Sequence, residues 1–367
     1  MNGGTSRRFF PGGNTAYGFY SFFAHLAGQG VDYRFILKGG PGVGKSTFMR
    51  RVAETVLEKG YAVEFFHCSS DPESLDGVSI PGLGVALLDG TAPHVVDPAV
   101  PGAGDEIVNL GEYWDRNRLR ERRQAIEETN RKIKRWFDLA YGYLAHAGLY
   151  VQEIDGYYEV ASELPAFRRL RRELAAEILG SGFGCGPDGA RHLFASAVTP
   201  QGVVSHLPEA LAEAKQVVVI QGGSKGLQNS LVEKVYVEAL ERGYYVEAFH
   251  CGLVPDYLEH LFLPELGVAL VTSNAYHSFP ARAPDRVLQL EEYLPKDGLE
   301  LYRRDLLSAQ EGLLAAIERA VEFIARAKAA HDALEEHYVP GMDWAGIDTL
   351  QEKITEQILS RAGVKPD

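Results

Sequence analysis

The sequence has few cysteines and no excess of positive charge. Only three cysteines occur in 367 residues, Cys68, Cys185 and Cys251, and such an odd, sparse set does not describe a disulfide framework. The formal net charge is −13, which disfavours standing contact with nucleic acid or anionic membrane, because either partner needs a broad basic surface. Both absences favour a soluble protein of the reducing cytoplasm.

A signal peptide and long hydrophobic runs are also missing. The first residues, MNGGTSRRFFPGG, lack an apolar core and a small-residue cleavage site. The most apolar early stretch, Tyr17 to Ala27, is too short and too interrupted to cross a bilayer, and its aromatic residues predict a buried helix. With 46% hydrophobic and 24% charged residues, the composition is that of a globular chain.

The chain contains one unit twice. The segment GYAVEFFHC at Gly60 to Cys68 recurs as GYYVEAFHC at Gly243 to Cys251, an offset of 183, and LGVAL recurs at the same offset. Further matches at offsets of 184 and 180 extend the duplication towards both ends, and glycine and proline cluster between the copies in residues 180–190. We therefore predict two tandem domains, residues 1–182 and 190–367.

Each copy has the pattern of an α/β domain. An apolar run that ends in Gly-Gly precedes an amphipathic helix, at Tyr33 to Lys38 and again at Gln216 to Gln221. Two further apolar strands follow each helix, which indicates a parallel sheet with crossover helices. A long helical region, which we interpret as a helical hairpin, then closes each copy. These regions are Leu119 to Tyr150 with Leu164 to Leu179, and Leu299 to His337 with Ile347 to Arg361.

The first copy carries a phosphate-binding motif. Residues 39–46 read GGPGVGKS and match G-x-x-x-x-G-K-[ST], with a predicted strand before them and a helix after them. The glycines let backbone amides turn towards a β-phosphate, and the positive end of the helix points at the same charge. We expect Lys45 at the β- and γ-phosphates, Ser46 at Mg²⁺ and Thr47 at the α-phosphate. The predicted binding residues are Gly39, Gly40, Pro41, Gly42, Val43, Gly44, Lys45, Ser46 and Thr47.

This motif makes the predicted fold two tandem P-loop NTPase-like α/β domains, with ATP and Mg²⁺ as ligands. Magnesium also needs a carboxylate, and Asp89, which ends the run VALLD, is our candidate. A D-G pair can equally end a strand in a simple turn. The competitor is Asp71, just beyond another strand end, which is also placed to orient an acceptor hydroxyl.

Histidine and arginine supply further candidates. His67 and Cys68 end one strand and His94 follows another, with His250, Cys251 and His277 at the matching places. An adjacent pair and a lone histidine do not form the closed ligand set of a structural zinc site, so half-buried structural residues are the competing interpretation. His67 is also a candidate for orienting water or substrate. The basic cluster in residues 116–135 is typical of a solvated helix face, with an arginine finger or a phosphorylated partner as alternatives.

The second copy lacks the chemical residues of the first. Its loop reads GGSKGLQNS, so that Gln228 stands for Lys45, Asn229 for Ser46, Thr272 for Asp89 and Val254 for Asp71. We expect it to keep the fold without catalysis, with Lys225 as a candidate replacement cation. The sequence also lacks the N-K-x-D motif of Ras-like GTPases and the LSGGQ motif of ABC transporters.

With the duplicated core and the segments FHCSSDPESLDG and DGTAPHVVDP, the chain resembles a bacterial family of tandem P-loop proteins. Its members are described only as ATP-binding proteins, ATPases or nucleotide kinases, so the resemblance implies ATP binding through residues 39–47 and names no substrate. We predict a cytoplasmic Mg²⁺-dependent ATPase whose nucleotide state sets the arrangement of its two copies. The alternatives are a kinase for a small molecule or nucleotide and a non-catalytic nucleotide-sensing scaffold. A further small-molecule or protein partner and a homo-oligomer stay open.

Overall fold

The computed structural model describes residues 4–92, 95–187, 189–274, 283–294 and 299–362. The strands of the first half are β1 Ser6–Phe9, β2 Gly12–Thr15, β3 Gly18–Ser21, β4 Tyr33–Lys38, β5 Val63–Cys68, β6 Asp71–Ile80, β7 Val85–Asp89 and β8 Asp105–Asn109. Those of the second half are β9 Gly189–Leu193, β10 Ser196–Thr199, β11 Gly202–Ser205, β12 Gln216–Gln221, β13 Tyr245–His250, β14 Leu258–Leu263, β15 Val268–Ser273 and β16 Arg286–Gln289.

The longer helices follow the same duplication. The helices are α1 Lys45–Glu58, α2 Arg116–Glu121, α3 Arg123–Ser162, α4 Pro165–Leu179, α5 Leu207–Ala210, α6 Lys225–Glu241, α7 Arg303–Tyr338 and α8 Trp344–Ser360. Short 3-10 turns are Phe23–His25, Pro81–Leu83, Leu110–Glu112, Leu290–Tyr293 and Val339–Gly341. Within the described ranges, no helix combines the length and the apolar character needed to cross a membrane.

Each half contains one six-stranded sheet. The strand order is β1-β5-β6-β7-β4-β8 in the first half and the matching β9-β13-β14-β15-β12-β16 in the second, so the chain has tandem α/β organisation. The prediction of wholly parallel sheets is wrong, because β6 and β14 run antiparallel to both neighbours. The physical reason is the short connection between Cys68 and Asp71, which pair across a hairpin and leave no chain for a crossover helix.

Strand β4 leads into the glycine-rich segment. It is flanked by β7 and β8, both parallel to it, and Leu37 pairs with Asp89 at its carboxyl end. Helix α1 follows and buries an apolar face of Phe48, Met49, Val52, Ala53 and Val56. Because the ends of β4 and β7 are adjacent, the glycine-rich segment and Asp89 lie at the same edge of the sheet.

The aromatic stretch from Tyr17 to Ala27 is not a helix. It forms β3, which pairs antiparallel with β2, and then the 3-10 turn Phe23–His25. Gly18 has a φ of 89°, a left-handed conformation that favours glycine and opens the turn of this hairpin. The prediction of a buried helix is therefore wrong, because aromatic residues suit a strand as well as a helix.

The long helices exchange between the halves. Helix α3 has 40 residues, a length of about 60 Å, and it packs along α7 rather than folding back on its own half. Helix α4 contributes Phe167, Leu170 and Leu174 to the core of the second sheet, while α8 contributes Ile347 and Ile354 to the core of the first. The expected hairpins are thus wrong, since each long helix carries the chain across to the other half. The boundaries 1–182 and 190–367 stay a prediction from the sequence duplication.

A buried cluster of charges joins the two halves. Arg7 of β1 bonds Glu247 of β13 with an Nη1–Oε1 distance of 3.1 Å, and Arg191 of β9 bonds Glu64 of β5 with an Nη2–Oε2 distance of 2.8 Å. All four residues are at most 9% exposed. The two pairs occupy matching positions in the repeat, so the halves meet through an interface of approximate twofold symmetry.

Candidate functional site

The glycine-rich segment forms the connection between β4 and α1. Gly42 has a φ of 67° and Gly44 a φ of 84°, both in the left-handed region where glycine is favoured. Gly44 is the N-cap of α1 and has no side chain that could accept hydrogen bonds from the first amides of the helix. The loop therefore offers backbone donors and the positive end of a 14-residue helix.

Lys45 and Asp89 lie together at this loop. The Lys45 ammonium donates to the carbonyl oxygens of Gly39 and Gly40, each at 2.9 Å, and lies 3.5 Å from the Asp89 Oδ2. The other carboxylate oxygen of Asp89 accepts from the amide of Thr91 at 2.8 Å. One oxygen of Asp89 thus stabilises the turn after β7, as a D-G pair does, and the other faces the lysine.

Ser46 is held against the antiparallel strand β6. Its Oγ accepts a hydrogen bond of 2.9 Å from the amide of Leu75. The hydroxyl keeps a second lone pair, so this bond fixes its position without using up its capacity as an oxygen ligand. The strand that the sequence pattern left out is thus what positions one of the predicted Mg²⁺ ligands.

Asp76 is a site residue that sequence reasoning missed. It lies on β6, is 5% exposed, and accepts a hydrogen bond from the thiol of Cys68. Burial and the neighbouring Asp89 carboxylate raise the pKa of Asp76 to about 8, against a smaller opposing effect of Lys45. It therefore keeps its proton at neutral pH. The signal was present in the duplication, because Glu259 occupies the matching place in the apolar strand β14.

Asp71 lies at the turn between β5 and β6. Its Oδ2 accepts from the hydroxyl of Ser74 at 2.8 Å and lies 3.4 Å from the ammonium of Lys328 on α7. Asp71 contributes to the electrostatic environment of Asp76, as Lys45 and Asp89 do. Lys45, Asp76 and Asp89 form a charged group, and Asp71 lies at its edge. There Asp71 pairs with a cation that comes from the other half of the chain.

His67 is oriented away from this group. Its Nδ1 is 2.7 Å from the carbonyl oxygen of Pro72, its Nε2 is 3.4 Å from an Arg8 nitrogen, and its ring stacks near that of His206. Burial, with the neighbouring His206, lowers the pKa of His67 to about 4, so it is neutral at pH 7. None of these partners belongs to the glycine-rich loop, and the contacts place His67 at the interface between the halves.

The described residues give little support to a metal site at the histidines. His94 and His277 lie outside them, so nothing is concluded about these two positions. Among the residues that the structure does describe, no group of three or more histidine, cysteine or acidic side chains has the geometry of a metal site. The Cys68 thiol instead bonds Asp76, and the Cys251 sulfur accepts from the amide of Val254 and from the ammonium of Lys225.

The second loop repeats the internal bonds of the first without its charges. Gln228 donates from Nε2 to the carbonyl oxygen of Gly222 at 2.9 Å, as Lys45 does to Gly39. Asn229 accepts from the amide of Leu258 at 2.8 Å, as Ser46 does from Leu75. The replacements therefore keep these two bonds and remove the cation and the hydroxyl, but the helix of the second loop begins at Lys225, three positions earlier in the repeat than α1 does.

Carboxylates of the protein occupy donors of the second loop. Asp155, near the end of α3, accepts from the amide of Gly226 at 2.7 Å, and Glu291 accepts from the amide of Gly223 at 3.1 Å. The side chain of Ser224 caps the next amide, that of Leu227, at 3.3 Å. A phosphate would need these donors, so Asp155 and Glu291 take the place that an anion would have at the second loop.

The candidate replacement cations do not reach the first loop. The ammonium of Lys225 is buried beside Glu259 and lies 3.4 Å from the Cys251 sulfur, all within the second half. The basic cluster of residues 116–135 lies on α2 and the start of α3, where most side chains are exposed and Arg123 pairs with Glu127. That arrangement is the solvated helix face considered from the sequence.

The residues of the first loop suit a magnesium-bound triphosphate. Ser46 and Asp89 supply the hydroxyl and carboxylate oxygens that Mg²⁺ prefers, and Lys45 supplies the cation. The loop backbone lies close to α8: a Cβ on Gly44 would lie 3.0 Å from the ring of Trp344, so glycine is what lets this ring pack against the loop. Comparison of the chain with protein-family models, with curated proteins and with solved structures found no match, so its function is argued from these residues.

Proposed function

We propose that the chain is a Mg²⁺-dependent ATPase that binds one ATP at the phosphate-binding loop of residues 39–47. The observation that carries the proposal is the position of Lys45, which lies between the loop carbonyls and Asp89 at the adjacent ends of β4 and β7. In open α/β sheets, ligands collect at this edge. The uncapped start of α1 supports the same conclusion, because its amides favour an anion.

The chain's own residues have separate roles in this proposal. Lys45 exchanges the carbonyls of Gly39 and Gly40 for phosphate oxygens, and the loop amides orient the chain of phosphates. Ser46 and Asp89 hold Mg²⁺, which neutralises charge on the phosphates when bound. Asp76 stays protonated beside them, so it adds no negative charge where the nucleotide already brings several. Asp71 remains the candidate for orienting the attacking water or an acceptor hydroxyl.

The exchanged helices support a link between the nucleotide and the arrangement of the halves. The end of α7 and the start of α8 border the loop, since a Cβ on Gly40 would lie 3.0 Å from Tyr338 and one on Gly42 would lie 3.0 Å from Glu335. Both helices belong to the second half of the sequence. A change of the loop on binding therefore acts directly on α7, and through it on its long partner α3.

The products of radiolabelled ATP test this function. We expect free phosphate from the wild-type chain and none from Lys45→Ala, with an unchanged circular dichroism spectrum, because the side chain contacts the loop rather than the core. Lys132→Ala, which removes an exposed lysine of α3, is the matched control and keeps wild-type turnover. A phosphorylated metabolite would identify the kinase alternative, and binding without any product would identify the sensor. Full turnover in Lys45→Ala would exclude the first loop as the active site.

A further inference from the structure

The first loop is bordered by a helix that the second half contributes. Helix α7 carries Tyr338 and Glu335 to the loop glycines, and about two turns earlier it carries Lys328. The ammonium of Lys328 lies 3.4 Å from Asp71 and also pairs with Asp332 of its own helix. A lysine from one half thus stands at the edge of the charged group in the other half.

We propose that Lys328 contacts the terminal phosphate of the nucleotide held by the first loop. This inference rests on the proposed function and names a further binding residue for the same site. The side chain of Lys328 is 26% exposed and that of Asp71 is 28% exposed, so the pair is open on one side rather than sealed in the core. An ammonium on a flexible stem can leave one anion for another at little cost.

The charges of the site favour a second cation. Lys45 already faces Asp89 and two carbonyls, and Asp71 is a further acidic neighbour at the outer edge of the site. Even with Mg²⁺, a triphosphate adds net negative charge to that group, and the charge is concentrated on its terminal phosphate. Lys328 lies at the outer edge of this cluster, where its ammonium pairs with Asp71.

The comparison between the two halves supports the assignment. The position of α3 that matches Lys328 is Gly148, at the repeat offset of 180, and the position that matches Asp71 is Val254. Both members of the pair are therefore missing beside the loop that Asp155 and Glu291 close. An ion pair that only fastened a helix to a sheet edge would serve either half, whereas this pair accompanies only the loop with a lysine and an uncapped helix start.

An alternative role for Lys328 is to fasten α7 to the sheet. A partly exposed ion pair of this kind contributes little to stability and would affect ATP and ADP equally. A contact to the terminal phosphate separates the two nucleotides, because ADP lacks that group. The ratio of the two affinities therefore distinguishes the roles without any need for turnover.

The test is calorimetry with Mg²⁺ and either ADP or the β,γ-imido analogue of ATP. We expect Lys328→Ala to weaken the ATP analogue on the order of tenfold or more and to leave the ADP affinity unchanged, as loss of one charge-assisted bond predicts. Lys328→Arg keeps most of the difference, and Lys132→Ala changes neither affinity. Asp71→Asn breaks the same ion pair but keeps the lysine, so it weakens the ATP analogue less than Lys328→Ala does.

Three results would overturn the inference. Equal affinity losses for both nucleotides in Lys328→Ala, or no loss for either, would show that the residue does not contact the terminal phosphate. A loss in Asp71→Asn equal to that in Lys328→Ala would identify a structural tie. Wild-type chain that binds neither nucleotide would refute the proposed function, and this inference with it, whereas the first two results leave the proposed function intact.

Discussion

The buried carboxyl of Asp76 gives the chain a pH dependence whose sign and size can be worked out. Burial and Asp89 raise the pKa of Asp76 from the ordinary 3.8 to about 8. The unfolded chain releases this proton near pH 4, whereas the folded chain keeps it until about pH 8. The unfolded state therefore binds fewer protons in this window, and the contribution of Asp76 to the free energy of unfolding falls as the pH rises.

The size of the effect follows from the same two values. Between pH 5 and pH 8 the contribution falls by about 1.4 kcal/mol per pH unit, or roughly 4 kcal/mol in total. Asp76→Asn removes it, because the amide has no proton to release and can still accept from the Cys68 thiol. We expect the stability of the variant relative to wild type to increase by that amount from pH 5 to pH 8.

Urea unfolding at several pH values measures this difference. Other groups titrate in the same range, so the quantity to compare is the wild-type free energy minus that of the variant at each pH. Asp138→Asn, an exposed position on α3, is the control and gives a flat difference. A flat difference for Asp76→Asn as well would show that Asp76 is ionised in the folded chain, and the electrostatic account of the site would be wrong.

Three further predictions concern other parts of the molecule. Asp89→Asn weakens Mg²⁺-dependent turnover more than metal-free nucleotide binding, while Asp71→Asn spares metal dependence and slows chemistry; reversed phenotypes in steady-state assays would exchange the two assignments. Burial lowers the pKa of His206 to about 4, so its contribution to the free energy of unfolding is lost as the pH falls from 6.5 towards 4. The thermal midpoint of His206→Phe should therefore fall less over that range than the wild-type midpoint does. An equal fall in both proteins would contradict this prediction. Arg191→Met leaves Glu64 buried without its closest cation and should lower the free energy of unfolding by about 3–5 kcal/mol in urea, whereas a change below about 1 kcal/mol would mean the interface charges are dispensable.

The duplication made much of the fold predictable from the sequence. The runs through Tyr33 to Lys38 and Val63 to Cys68, and their copies 183 residues later, are strands in the structure, and the amphipathic face after Lys45 is helix α1. These elements have strong periodicity and clear glycine boundaries, and each was seen twice. The two similar sheets follow from them.

The wrong predictions concern elements whose packing or pairing partner cannot be read from their own sequence. The segment of β6, DPESLDGVSI, has three acidic residues and no continuous apolar run, so it does not predict a strand, and its direction is decided by the short turn at Asp71. The amphipathic face of α4 likewise shows that it packs against a core without indicating which core. Such long-range pairings depend on the length and path of the whole connection.

The candidate site shows the same limit. The motif identified the residues of the loop, and the second copy revealed which of them were replaced. Asp76 and Lys328 escaped notice because one lies in an unpredicted strand and the other is 283 residues from Lys45 in the sequence. The sequence alone does not show that Asp155 and Glu291 accept hydrogen bonds from the second loop, because this depends on where the helices lie. A shared motif therefore specifies a site less completely than the groups that surround it.

The most direct test of the account is the number of nucleotides that one chain binds. Isothermal titration of the wild-type chain with ATP and Mg²⁺ should give a stoichiometry near one, because the first loop has Lys45 and an uncapped helix start, whereas Asp155 and Glu291 accept hydrogen bonds from amides of the second loop. Lys45→Ala should abolish that binding. Two tight Mg²⁺-dependent sites per chain, or one site that survives in Lys45→Ala, would contradict the asymmetry between the halves and the function proposed from it.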